Sequence, residues 1–266
     1  MKITAYICNT CGVQYEPSIE TPIDCKICRD ERQYVNANGQ SWTSLPFINQ
    51  RYKNIIEKVQ DDLYALYTTP SFGIGQRAHL LLTPHGNILW DCISNIDEST
   101  VTIINLLGGI KAIAISHPHY YSTMAEWSQK FGNVPVYIHA KDRDWLTRRD
   151  FNLVLWEEEE LELWPQLNLI NCGGHFDGGT ILHHDIDDGK LLVGDVIQVC
   201  PDHKSVSFMY SYPNYIPLSK REILKIQELV SPLHYRYMYG AFGHYLNDNA
   251  AEVTDYSLKR YLQIYE

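Results

Sequence analysis

The stretch that most constrains this chain is Ser116-His117-Pro118-His119-Tyr120-Tyr121-Ser122, which follows an apolar run over residues 110–115. The run reads as a buried strand. Two histidines at i and i+2 on a loop at a strand end can aim both imidazoles at one ion, and neutral imidazole is the commonest metal ligand among side chains. Further candidate ligands follow, each behind another strand-like run. His175 sits in Gly173-Gly174-His175-Phe176-Asp177-Gly178-Gly179, Asp195 ends Leu192-Val193-Gly194-Asp195, and His244 follows Gly243.

The seven cysteines split sharply. Four form Cys8-x-x-Cys11 and Cys25-x-x-Cys28, with thirteen residues between the pairs; Cys92, Cys172 and Cys200 are solitary in apolar contexts and read as small buried hydrophobes. Two paired knuckles this close signal a tetrahedral thiolate site. Gly12 follows the first knuckle, where a tight turn favours positive φ. About 35 residues build no stable core alone, so a metal would supply the folding energy. The segment resembles a zinc ribbon or a shortened rubredoxin-like module. Zinc is the expected ion, iron being the S₄ alternative. Disulfide pairing is disfavoured in a chain without export signals. The basic Lys26, Arg29 and Arg32 are offset by Asp24, Asp30 and Glu31, which favours a structural ribbon over a docking element.

The chain of 266 residues, 45 % hydrophobic and 20 % charged, has the length for one large core and a small appendage. No apolar run reaches the roughly 18 residues of a membrane helix. The opening Met1-Lys2-Ile3-Thr4-Ala5-Tyr6 lacks the basic region and long apolar core of a signal peptide, so a cytoplasmic location is expected. The net charge of −10 argues against broad contact with nucleic-acid phosphates. A small-molecule substrate is the expected partner, and no oligomeric state follows from composition.

The expected organisation is a ribbon over residues 1–35, a linker over 36–54 and a main domain over 55–266. The linker is polar, with Gly39 and Pro46. In the main domain, residues 63–67 read as a strand, and 78–83 with 87–92 as a hairpin around Pro84-His85-Gly86. Helices are expected over 98–107, 123–131 and 220–229, with a short one starting in 142–146. Strands are expected over 110–115, 134–138, 167–171, 180–184, 191–193 and 235–239. Paired strands, then strands alternating with helices, predict α/β sheets covered by helices.

In order and context the histidine loop, the glycine-flanked His175, Asp195 and His244 resemble the metallo-β-lactamase-fold hydrolase superfamily, over about residues 55–250. The run His-Pro-His-Tyr-Tyr-Ser is similar to a divergent branch that pairs such a ribbon with this fold. The resemblance implies an αββα sandwich of two sheets, with a metal site at one sheet edge. It makes His117 and His119 the first ligand pair, His175 the third ligand, Asp195 the bridging carboxylate and His244 the last ligand. His234 competes with His244 for that role. Asp91 resembles the family's first motif aspartate, which supports the histidine loop rather than binding metal. The remaining histidines, His79, His85, His139, His183, His184 and His203, are set aside as ordinary polar residues.

One departure matters. The family carries Asp and His four and five places after the first histidine, and this chain has Tyr121 and Ser122 there. Neither is a good zinc ligand at neutral pH, since a phenol has a pKa of about 10 and a serine hydroxyl a far higher one. One zinc, or another divalent transition ion, held by His117, His119 and His175 with Asp195 as a fourth ligand is therefore expected. The resemblance then implies a hydrolase of ester, thioester, amide or phosphoester bonds. Asp195 would orient the nucleophile or act as general base, and Tyr120 or Tyr121 would donate to a developing oxyanion. The alternative is a non-catalytic binding or regulatory protein with a degenerate pocket. An iron ribbon feeding a di-metal oxidase ranks last, because the chain has neither a flavin domain nor acidic ligands in the first loop.

Overall fold

The structure is a computed structural model and describes residues 3–266. The chain divides into two compact units, residues 1–138 with 143–155, and residues 139–142 with 156–266.

The first unit opens with the cysteine module. Strand β1 (Tyr6–Cys8) and the short helix α1 (Lys26–Arg29) carry the two knuckles. Strand β2 (Trp42–Ser44) pairs antiparallel with β1, and α2 (Leu45–Arg51) follows. The expected linker over 36–54 is thus largely ordered: Trp42, Thr43 and Ser44 close the ribbon's sheet, which a polar composition did not reveal.

A seven-stranded sheet then forms in chain order. Strands β3 (Lys53–Gln60), β4 (Leu63–Thr69), β5 (Ala78–Leu81) and β6 (Ile88–Trp90) run antiparallel in succession. Helix α3 (Glu98–Leu106) crosses to the parallel strand β7 (Ala112–Ala114), and α4 (Met124–Lys130) to the parallel strand β8 (Val136–His139). Strand β9 (Leu153–Trp156) ends the sheet. The crossovers follow from parallel pairing, which no tight turn can connect. Ala112, Ile113 and Ala114 are all buried, as expected for a parallel strand covered on both faces. Strand β3 is the opposite edge, and its Lys53, Glu57 and Lys58 blunt it against further pairing. Asp97 caps α3 by accepting the Thr100 amide at 2.8 Å.

The second unit holds a six-stranded sheet. Strands β10 (Glu160–Trp164), β11 (Leu167–Asn171), β12 (Thr180–His184) and β13 (Lys190–Gly194) form an antiparallel meander. Two small ribbons follow, β14 (Gln198–Val199) with β15 (Val206–Ser207) and β16 (Met209–Ser211) with β17 (Ile216–Pro217). Helix α5 (Lys220–Val230) then leads to β18 (Tyr237–Gly240), parallel to β13, and β19 (Tyr245–Leu246) and α6 (Ala250–Leu262) complete the unit. Helix α5 starts at a capping box, Ser219 with Glu222 three residues on. Its Ile223, Ile226 and Val230 share one face and pack with Ile170, Leu191, Val193, Phe208 and Met238. Residues 140–145, where a short helix was expected, form 3₁₀ turns. Among the described residues no helix is long and apolar enough to cross a membrane.

Candidate metal centres

Within the ribbon, the four sulfurs of Cys8, Cys11, Cys25 and Cys28 lie within 4.8 Å of one another, and all four residues are buried. Cys8 and Cys28 sulfurs are 3.6 Å apart, Cys11 and Cys25 sulfurs 3.5 Å. Four thiolates on a tetrahedron with 2.3 Å arms sit roughly 3.8 Å apart, so the spacing fits one ion. None of the seven cysteines is bridged to another in the structure. Gln40 supplies the surroundings: its Nε2 donates to Cys8 Sγ at 3.1 Å, and its Oε1 accepts from the Cys25 amide at 3.3 Å. Hydrogen bonding from Cys11 and its neighbours holds the Cys8 thiol far below its ordinary range, while burial pushes Cys11 up. A buried group that favours thiolate needs a cation beside it.

In the first unit, β7 delivers the histidine loop. His117 is extended, and Pro118–Tyr120 forms one 3₁₀ turn, closed by the Tyr120 amide on the His117 carbonyl at 3.1 Å. That turn brings the His117 and His119 rings to 5.0 Å between centroids, with ring nitrogens within 4.8 Å of each other. Both residues are buried. Asp91, just after β6, accepts from the Ser116 amide at 2.7 Å and from Ser116 Oγ at 3.0 Å. Ser116 Oγ lies 2.9 Å from His117 Nδ1. A carboxylate only accepts, so the serine hydrogen goes to Asp91 and Nδ1–H donates to the serine oxygen. The network therefore assigns the tautomer that leaves the Nε2 lone pair for an ion. Tyr120 packs edge-on to His117 at 4.3 Å, and Tyr121 is fully buried.

Ser122 is turned to other work. Its Oγ donates to the Cys92 carbonyl at 3.1 Å and accepts from Gln76 Nε2 at 2.8 Å. Its φ of +42° lies in the left-handed region.

In the second unit, His175 sits on the loop between β11 and β12. The loop folds back on itself: the Gly173 amide donates to the Gly179 carbonyl and the Gly179 amide to the Phe176 carbonyl, each at 2.9 Å. A Cβ on Gly179 would lie 2.5 Å from the Gly173 oxygen, so only glycine closes the loop this tightly. His175 Nδ1 is 3.1 Å from the Met209 carbonyl. That oxygen only accepts, so Nδ1 carries the proton and Nε2 again keeps its lone pair. Asp195, immediately after the buried strand β13, places a carboxylate oxygen within 4.8 Å of a His175 ring nitrogen. Tyr212 donates to the Asp195 carbonyl at 3.2 Å and packs 5.6 Å from the His175 ring. Burial, with the charge of Asp195, pushes its phenol well above the ordinary range, so it remains a donor.

His244 is not grouped with His175 and Asp195. The turn between β18 and β19 carries it to His203, whose Nε2 lies 3.2 Å from His244 Nδ1. Its competitor His234 is exposed and pairs with Asp185 at 3.0 Å. Beside the glycine loop lies an open cavity of about 560 Å³, bordered by Lys141, Asp177, Arg221, Glu222 and Lys225. Three cations face two carboxylates there: Arg221 pairs with Glu222 at 3.1 Å, and Lys141 donates to the neutral Asn171 Oδ1 at 2.8 Å. Ser116, Met209 and Tyr212 were not read from sequence. A main-chain acceptor leaves no signal in residue identity, and Ser116 was legible only as a neighbour of His117.

The fold is that of the metallo-β-lactamases. The chain aligns with DIM-1 metallo-beta-lactamase over 79 % of its length and 96 % of that chain, with a TM-score of 0.58 at 12 % identity. A metallo-beta-lactamase from Pontibacter korlensis gives 0.57 at 16 % identity, over 80 % of this chain and 98 % of that one. VMB-1 gives 0.61 at 12 % identity, over 80 % and 99 %. No family model matches the sequence. The uncharacterized protein YmaE of Bacillus subtilis (strain 168) is 46 % identical over 263 residues, 97 % of this chain and 96 % of that protein. The chain belongs to the same family as YmaE.

Proposed function

We propose that this protein is a metal-dependent hydrolase of an ester, thioester, amide or phosphoester bond in a small molecule, with one catalytic ion held by His117, His119, His175 and Asp195 and a structural zinc held by Cys8, Cys11, Cys25 and Cys28. The observation that carries this reading is the paired tautomer assignment. His117 and His175 each commit Nδ1 as a donor, to Ser116 Oγ and to the Met209 carbonyl, and so each presents Nε2 as a ligand. Three imidazoles and one carboxylate, all buried, suit zinc or another divalent transition ion.

When bound, zinc supplies Lewis acidity and lowers the pKa of a water towards 7. The chain's own residues do the rest. Asp195 is the acceptor that orients the attacking water or takes its proton. Tyr120, edge-on to His117, and Tyr121 are the nearest phenols in the histidine loop able to donate to a developing oxyanion. Tyr212 remains protonated and keeps the backbone at Asp195 in place.

The test is a screen of generic esters and phosphodiesters on the purified protein, followed by His119→Ala, with metal content measured in parallel. Loss of both turnover and one metal equivalent in the variant is expected. Wild-type turnover by His119→Ala would show the loop mechanism to be wrong. A second reading, a non-catalytic binding protein, is favoured by the structural engagement of Ser122; an ion-free main domain with no turnover would select it.

A further inference from the structure

The ribbon and the histidine loop are fastened to the same short segment, residues 91–94. Asp91 holds Ser116, and through it His117. The Cys92 carbonyl accepts from Ser122 Oγ, and the Ile93 carbonyl accepts from Trp127 Nε1 at 2.8 Å. The Ser94 carbonyl accepts from Thr123 Oγ1 at 3.1 Å, while Ser94 Oγ donates to the Gly12 carbonyl at 2.8 Å. Gly12 has φ of +80°, and a Cβ there would collide with that hydroxyl, so the first knuckle lies directly on Ser94.

Two residues further on, the ribbon grips the end of the histidine loop itself. The Gln14 amide donates to the Ser122 carbonyl at 2.9 Å. Thr147 Oγ1 donates to the Gln14 carbonyl at 2.7 Å, and Arg148 Nη1 donates to Gln14 Oε1 at 2.5 Å and to Glu126 Oε1, on α4, at 2.7 Å. Gln14, Ser94, Ser122, Thr123, Thr147 and Arg148 are all buried, so water cannot replace a lost partner. The backbone at Gln14 is in turn set by the first knuckle. The Gly12 amide donates to the Cys8 carbonyl at 2.9 Å, and the Cys8 amide to the Val13 carbonyl at 3.0 Å. A module of this size depends on its metal for folding.

We propose that the four-cysteine site is a positioning element for the histidine loop. An ion bound by Cys8, Cys11, Cys25 and Cys28 fixes the backbone at residues 12–14, which holds the Ser122 turn and with it the His117 and His119 pair in ligand geometry. The part of this that concerns metal at the histidines rests on the proposed function; the mechanical coupling does not. Emptying the ribbon, by chelation, then weakens the second site without touching its ligands.

The test uses the full chain as Cys25→Ser/Cys28→Ser, which removes the second knuckle and leaves Gly12 and Gln14 unchanged. Cobalt(II) is the probe, because thiolate and imidazole sites give separable spectra. Hydrogen exchange is followed over residues 112–127 and, as a control, 180–194. The expected result is cobalt affinity at least about tenfold weaker at the histidines and faster exchange over 112–127, with the control unchanged. A folded, ribbon-empty variant with wild-type affinity and exchange overturns the proposal. If that variant does not fold, Ser94→Ala and Arg148→Ala, with ribbon cobalt confirmed, replace it; wild-type exchange over 112–127 in both overturns the coupling. If the wild type binds cobalt only in the ribbon, the proposed function fails, and the exchange comparison still decides the coupling.

Discussion

Replacing Asp91 by Asn tests the proton logic of the histidine loop with a change of one atom's chemistry. The Asp91 carboxylate is buried and accepts twice from Ser116, at 2.7 and 3.0 Å. In Asp91→Asn the amide oxygen can keep the Ser116 N–H, and the new NH₂ faces Ser116 Oγ. The serine hydroxyl then accepts from the amide and turns its own hydrogen to His117 Nδ1. That moves the imidazole proton to Nε2, the atom a metal needs. Restoring the productive tautomer means giving up a hydrogen bond that in the wild type leads to a charged group, a loss of about 1.5–3 kcal/mol. Expressed as affinity this is roughly 10- to 100-fold. The assay is zinc competition against a chromophoric chelator, with thermal unfolding as the control for fold. Ser116→Ala should cost a similar factor by breaking the same relay. The double variant should then be no worse than Ser116→Ala alone, because the two changes act through one chain of hydrogen bonds. Wild-type zinc affinity in Asp91→Asn, or full additivity in the double variant, would refute the relay.

Other expectations are more direct. Elemental analysis should find two metal equivalents per chain, one in the ribbon and one at the histidines; two ions about 3.5–4 Å apart at the histidines would contradict the loss of ligands at Tyr121 and Ser122. His79, buried in β5, has its pKa pushed down to about 3 by burial and then by the charge of Arg77. It is neutral when folded and titrates near 6.5 when unfolded. The unfolded chain therefore binds the extra proton, and stability falls as pH drops below about 6.5, by up to about 1.4 kcal/mol per unit, until about pH 3. Urea unfolding of His79→Gln between pH 6 and 4 should show a shallower loss than the wild type, and an identical slope would exclude His79 as the cause.

Much of the fold was legible because the sheet's interior announces itself. Strands β4, β7, β11, β12 and β13 carry continuous or alternating apolar residues between glycine or polar breaks, and each appears where expected. The elements missed include the apolar run of β9, and others whose buried face is not apolar. In α6 the buried positions include Ala250, Thr254 and Ser257, small and hydroxylated residues that give no 3.6-residue hydrophobic stripe. Strand β3 exposes charge along the edge, so its period-2 pattern is half hidden. Strand β2 forms only because β1 offers it a ladder. The residues of the candidate site were readable as residue types at strand ends. His244 follows a glycine as the motif has it, and its neighbour His203, 3.2 Å away on the turn between β14 and β15, is one the motif does not reveal.

Tyr121 and Ser122 show what a motif comparison cannot supply. On sequence they count as two missing ligands, with Tyr121 also a candidate oxyanion donor. In the fold they are fully buried, and Ser122 is the point where three parts of the first unit are tied together: Gln76 and Cys92 through its hydroxyl, and the ribbon's Gln14 through its carbonyl. A histidine at 122 would forfeit the hydroxyl that donates to Cys92, and its ring would need space in a buried, close-packed turn. Restoring the two-metal motif by Tyr121→Asp and Ser122→His should therefore not restore a second ion. It should instead loosen the ribbon and lower stability, because the Gln76 and Cys92 groups each lose one buried hydrogen bond, at about 0.5–1.5 kcal/mol, keeping only the 3.1 Å bond between them. Calorimetry with metal counting on that double variant distinguishes the cases. A stable protein with a second bound ion would mean that position 122 tolerates a ligand and that the ribbon contact is incidental.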